Sequence, residues 1–129
     1  MSLDTNVVLR FILGDHPQQA EAASAIIRQS CFISLTVLVE TGWVLSSSYD
    51  LSRQAIGNAL LAVIDQPTVA VESENEVRWA LRRYRDHGAD LADMIHLVAS
   101  ARRQAFVTFD RKLAGQAGDA SPVPVDTLK

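Results

Sequence analysis

Apolar residues recur along the chain with two different periods, and the alternation of those periods predicts the fold. Leu3-Asp4-Thr5-Asn6-Val7 reads as a short opening strand, and Val8 to Leu13 as a helical turn or two that stops near Gly14. Pro17 opens a helix to Gln29 with Ala20, Ala23, Ile26 and Ile27 on one face. Residues 31–35 form a second strand, after which Thr36 caps a helix to about Ser46 and Ser52 caps another to about Asp65. Thr68 to Val71 is a third strand. Ser73-Glu74-Asn75-Glu76 has the form of a capping box, and it starts a helix ending near Gly88. Asp90 caps the next helix, to about Gln104, and Ala105 to Thr108 is a fourth strand. Residues 110–116 make a short helix, and Pro122 to Val125 reads as an edge strand. Strands alternating with helices imply parallel crossovers and an α/β sandwich, with ligands bound at the carboxyl ends of the strands.

Bulk properties narrow the class. A chain of 129 residues, 48% apolar and 21% charged, fits one globular domain, residues 1–129, and not a disordered segment. No apolar run approaches the roughly 20 residues of a membrane span, and no signal peptide is visible. The single cysteine, Cys31, lies in the apolar run Cys31-Phe32-Ile33, which reads as a buried strand, so a small buried hydrophobe is its expected role. These features point to the cytoplasm. A net charge of −3 gives no bulk case for nucleic-acid binding, but the placement of the acidic residues changes that picture.

Several carboxylates sit among apolar neighbours. Glu40 lies within Thr36–Leu45, Asp93 within Leu91–Ala99, and Asp4 beside Leu3 and Val7, while Asp110 follows Phe106-Val107-Thr108-Phe109 at a strand end. Each has a plain structural reading: Asp4 and Asp110 as turn or helix caps, Glu40 on a solvated stripe. Together they are harder to dismiss. Asp4 and Asp110 fall near the carboxyl ends of two strands, and Glu40 and Asp93 in the early turns of the helices that follow. All four can reach one edge of the sheet. Carboxylates packed together repel unless a cation intervenes. Oxygen ligands without Cys or paired His select Mg²⁺ or Mn²⁺ over Zn²⁺.

Leu3–Arg10, Ile33–Glu40, Ala92–Ala99 and Val107–Asp110 together resemble the PIN-domain family, and more narrowly the VapC-type toxins of prokaryotic toxin–antitoxin pairs. The stretches occur in the family's order and spacing over essentially the whole chain. The resemblance implies an α/β/α sandwich with a central, mainly parallel sheet of four to five strands flanked by helices. It implies acidic site positions at Asp4, Glu40, Asp93 and Asp110, with small polar support from Thr36 and Thr108. It also implies a homodimer and a small VapB-like antitoxin as partner.

The chemistry implied is hydrolysis of RNA phosphodiester bonds by metal-activated water, the metal making hydroxide available near neutral pH and offsetting charge on the phosphorane oxygens. Asp4 and Asp93 are the expected direct or water-bridged ligands, and Glu40 and Asp110 would bind directly, through water, or orient the nucleophile. Asn6, two residues from Asp4, could brace it or make a local turn bond. His96, three after Asp93, reads as a core or supporting histidine. Arg10 and Arg111 are the nearest candidate RNA-phosphate partners, and Trp43 and Trp79 read as core or interface. A cation from an antitoxin would be drawn to Glu40 or Asp93, with apolar contact near Trp43 and the helices around residues 8–13 and 52–64. Two alternatives stand beside this: a PIN nuclease outside toxin–antitoxin systems, and an aspartate-based Mg²⁺ phosphohydrolase or phosphotransfer domain. The phosphatase reading asks for Asp-x-Asp at strand one, where this chain has Asp4-Thr5-Asn6.

Overall fold

The computed structural model describes residues 1–129 and contains seven helices and four short strands. Helix α1 (Thr5–Leu13) begins at once after Asp4, whose carboxylate accepts from the Thr5 N–H. The expected strand over residues 3–7 therefore shrinks to a parallel bridge between Ser2 and Phe32, with Leu3 N–H donating to Phe32 O at 2.9 Å. The reason is legible in Val7, Val8, Phe11 and Ile12, whose three- and four-residue spacing turns an apolar stripe toward the core once Asp4 caps the turn. Gly14, at φ 64°, closes the helix by donating to Arg10 O.

Helix α2 (Pro17–Ile27) packs on α1 and leads to β1 (Cys31–Ile33). Helix α3 (Leu35–Ser47) starts one residue before the expected cap: Ser34, not Thr36, accepts from Val37 N–H at 3.2 Å. Helix α4 (Arg53–Ile64) is capped by Ser52 as expected and precedes β2 (Val69–Val71), which pairs in parallel with β1. Helix α5 (Glu74–His87) ends at left-handed Gly88, but the capping box at its start does not form. Ser73 sits at φ 52° and makes no side-chain cap bond.

Helix α6 (Leu91–Ala99) is capped by Asp90 and stops five residues short of Gln104. Val98 is its last buried side chain, and Arg102, Arg103 and Gln104 beyond it are exposed, so continuing the helix would bury nothing. Strand β3 (Phe106–Thr108) and short helix α7 (Leu113–Ala117) lead to β4 (Val125–Thr127), parallel to β3. The last strand lies later than Pro122 to Val125 because prolines 122 and 124 offer no N–H; pairing begins where Pro124 O accepts from Phe106 N–H.

All four strands run parallel, in two hydrogen-bonded pairs, with helices packed against them in the expected α/β class. One continuous apolar core joins residues from Leu3 to Val123, with Cys31 buried in it. Helices α3 and α6 approach closely at Gly42, where an added Cβ would stand 2.7 Å from Leu91 Cδ2. No helix is long and apolar enough to cross a membrane.

Candidate active site

The four acidic residues fall into two pairs, Asp4 with Glu40 and Asp93 with Asp110. Asp4, at the mouth of α1, is exposed, and Oδ1 accepts from Thr5 N–H at 2.8 Å. The Thr5 hydroxyl, itself buried, donates to Glu40 Oε1 on α3. Glu40 is exposed and lines a groove of about 620 Å³ between α3 and α6 with Leu35, Val39, Trp43, Ile95 and His96. Asp93 lies one turn before His96 on α6, and its backbone N–H is held by Asp90 at 3.0 Å. Burial pushes the Asp93 carboxyl above the ordinary aspartate range; Asp90 and Asp110 push it the same way, and His96 opposes them. Asp110 thus acts on Asp93 by charge, and Asp4 and Glu40 meet through Thr5.

The supporting residues divide. Thr108 accepts from Asp110 N–H at 3.0 Å, and Asp110 Oδ1 accepts from Lys112 N–H at 2.9 Å. Asp110 is therefore fixed in a tight turn at the end of β3, part of its carboxylate satisfying backbone. Thr36 is exposed, shares the Glu40 groove and bonds the Ser34 hydroxyl at 3.0 Å. Asn6 makes no hydrogen bond to Asp4; it lines a different groove, between α1 and α2, with Val7, Arg10 and Ile26. Arg10 is tied to Asp15 at 2.7 Å and Tyr49 at 3.3 Å, the tyrosine contact and the acid both holding it cationic. Arg111 is exposed beside Asp110.

Three residues play parts that sequence reasoning underrated. Thr5 is the tie between α1 and α3; reading residues 3–7 as a strand put it on the face opposite Asp4, whereas an Asp cap before Thr5 would have placed it inward. His96 lies edge-on to Phe106, ring centroids 6.4 Å apart, with its other side open to the groove. Trp43 is not in the core: it is 67% exposed at the groove rim, while Trp79 is half-buried against the core.

No three acidic, histidine or cysteine side chains stand close enough, as posed, to cage an ion. The donor set is nonetheless all oxygen, and Mg²⁺ is commonly held by one or two carboxylates with water completing its shell. Burial and two neighbouring carboxylates disfavour the charged form of Asp93, and a nearby cation would relieve that charge.

A family model for the PIN domain matches residues 1–118. The chain belongs to the PIN-domain family, whose members are typically metal-dependent nucleases. A search of curated proteins found no match.

Proposed function

We propose that this chain is a single-domain endoribonuclease dependent on Mg²⁺ or Mn²⁺, and the toxin of a VapBC-type pair. The observation that carries the nuclease reading is the link from Asp4 through Thr5 to Glu40 at the groove between α3 and α6, the helix that also carries the half-buried Asp93. Asp4 and Asp93 would hold the cation, and Glu40 and Asp110 would contribute directly or through water. When bound, the cation supplies acidified water and offsets charge at the scissile phosphate. The chain's own groups set the geometry. Thr5 fixes one carboxylate oxygen of Glu40, leaving the other for water. Thr108 and the Lys112 N–H hold Asp110 in one pose, and Asp90 anchors the turn carrying Asp93.

Digestion of RNA by purified protein, with and without Mg²⁺ or Mn²⁺, tests this beside Asp4→Asn and Asp93→Asn. Metal-dependent cleavage that both variants lose is expected. Cleavage that persists in either variant, or in chelator, overturns the assignment.

The toxin reading is supported by the exposed apolar groove that ends at Glu40. An antitoxin could lay an apolar segment along Leu35, Val39, Trp43 and Ile95 and direct an Arg or Lys to Glu40 or Asp93. The α1–α2 groove offers a second seat near residues 8–13. Co-expression with the adjacent small gene should yield a copurifying, inactive complex; no copurification, with a chain harmless to its host, rejects the toxin and leaves the nuclease. A homodimer belongs to the same reading, and a monomer by light scattering at micromolar concentration rejects it.

A further inference from the structure

Residues 106–109 alternate across strand β3 and its end, so Phe106 and Thr108 share one face and Val107 and Phe109 the other. The first face is engaged: Phe106 packs edge-on against His96, and Thr108 accepts from Asp110 N–H. The second is open. Val107 is 55% exposed and Phe109 73% exposed, the highest exposure of any large apolar side chain here. Pairing of Thr108 with Thr127 continues outward to Leu128, whose N–H donates to Thr108 O at 2.8 Å, so Leu128 flanks Phe109.

Phe109 is exposed without being loose. Before it, Thr108 is held in the β3–β4 pair; after it, the Asp110 turn is closed by the Thr108 hydroxyl and by Lys112 N–H. A rigid ring gains little from folding in this position, yet it stands one residue from Asp110. Arg111 and Lys112 follow directly, both exposed, and neither joins an ion pair, in contrast to Arg10, Arg78 and Arg85. An exposed ring, free cations and an acidic site in consecutive positions form the combination that grips a single strand: stacking for a base, cations for its phosphates. A protein partner seated on Val107, Phe109 and Leu128 would make no use of that order.

We infer that Phe109 is a substrate-positioning residue, on which a base next to the scissile phosphate stacks while Arg111 and Lys112 meet the flanking backbone. This rests on the ribonuclease reading and deepens it: the substrate is an unpaired segment, because a base within a duplex cannot offer its face to the ring. Preference for base identity should be weak, since every base presents a π face.

The test uses single-stranded RNA oligonucleotides carrying 2-aminopurine at successive positions, with binding measured in Asp93→Asn protein and turnover in the otherwise unaltered chain. One labelled position should be quenched on binding, and Phe109→Ala should abolish that quenching. In turnover, Phe109→Ala should raise KM about tenfold with little change in kcat, the worth of one base stack. Phe109→Trp should restore both readings and Phe109→Leu neither. An equal melting temperature for all variants shows that folding is not at issue. Retained quenching and KM in Phe109→Ala, or full rescue by Leu, overturns the inference while leaving the nuclease intact. A change of oligomeric state without a change in RNA binding overturns it in favour of a protein contact. Position-specific quenching without cleavage by any form keeps Phe109 and sinks the nuclease reading instead.

Discussion

The Thr5 hydroxyl donates to Glu40, joining the first residue of α1 to the middle of α3 across 35 positions of sequence. Because Thr5 is buried and Glu40 exposed, the bond is made from the core outward, and it orients a carboxylate that solvent alone would leave free to rotate. Thr5→Val keeps the shape and removes the donor. Water can partly replace it at exposed Glu40, so the stability cost in urea unfolding should be about 1 kcal/mol. Cleavage should fall about tenfold, as when an outer support of a metal ligand is lost, and Thr5→Ser should recover most of it. A Thr5→Val enzyme with full activity would detach Thr5 from the site.

Asp93→Asn should leave the metal-free protein equally or more stable, since burial and the charges of Asp90 and Asp110 all disfavour the Asp93 carboxylate. Differential scanning in chelator measures this. A fall in melting temperature of several degrees would make Asp93 a structural residue.

Millimolar Mn²⁺ or Mg²⁺ should raise the melting temperature of the unaltered chain by about 2–4 °C, because the cation binds only the folded arrangement of carboxylates. Asp4→Asn and Asp93→Asn should each shrink the rise, and Zn²⁺ should not reproduce it. Calorimetry that detects no divalent binding would contradict the oxygen-ligand assignment.

Burial pushes the Cys31 thiol above its ordinary value of 9.0. A folded-state pKa above the unfolded one means that the thiol's contribution to stability is whole below the unfolded value and is lost as pH rises through the folded value. The protein should therefore lose stability above about pH 9, and Cys31→Ala, though about 1 kcal/mol less stable at neutral pH, should lack this part of the alkaline decline. Thiol reagents should label the native chain far more slowly than the urea-unfolded one. Rapid native labelling would contradict the buried position.

The alternation of periods carried the α/β class, the parallel pairs and most helix positions, because each depends on apolar spacing that the final core preserves. Errors gathered where a local polar bond decides. Asp4 and Ser34 each stop one element and start the next, and neither choice shows in hydrophobic spacing. Ser73 had the composition of a cap without its bond. The four acidic positions stand out in the sequence as carboxylates among apolar neighbours, but in the fold Asp4, Glu40 and Asp110 are exposed and only Asp93 is half-buried. Thr5 was hidden by its assignment to a strand, and Phe109 by its resemblance to an ordinary strand residue, since exposure is set by what packs on the other face and not by the residue itself.

Gly42 lies two residues after Glu40, and Leu91, the side chain it admits, two residues before Asp93. The close approach of α3 and α6 at this point thus depends on an absent side chain. Gly42→Ala places a methyl group 2.7 Å from Leu91 Cδ2, so α3 must lean away from α6 or Leu91 must change rotamer. If the helices yield, the shift falls two residues from Glu40 on α3 and two residues from Asp93 on α6. Catalysis would then be lost through a residue that no substrate reaches, with kcat falling further than the melting temperature foretells. In this protein the seating of α3 on α6 and the packing of the core are one dimension.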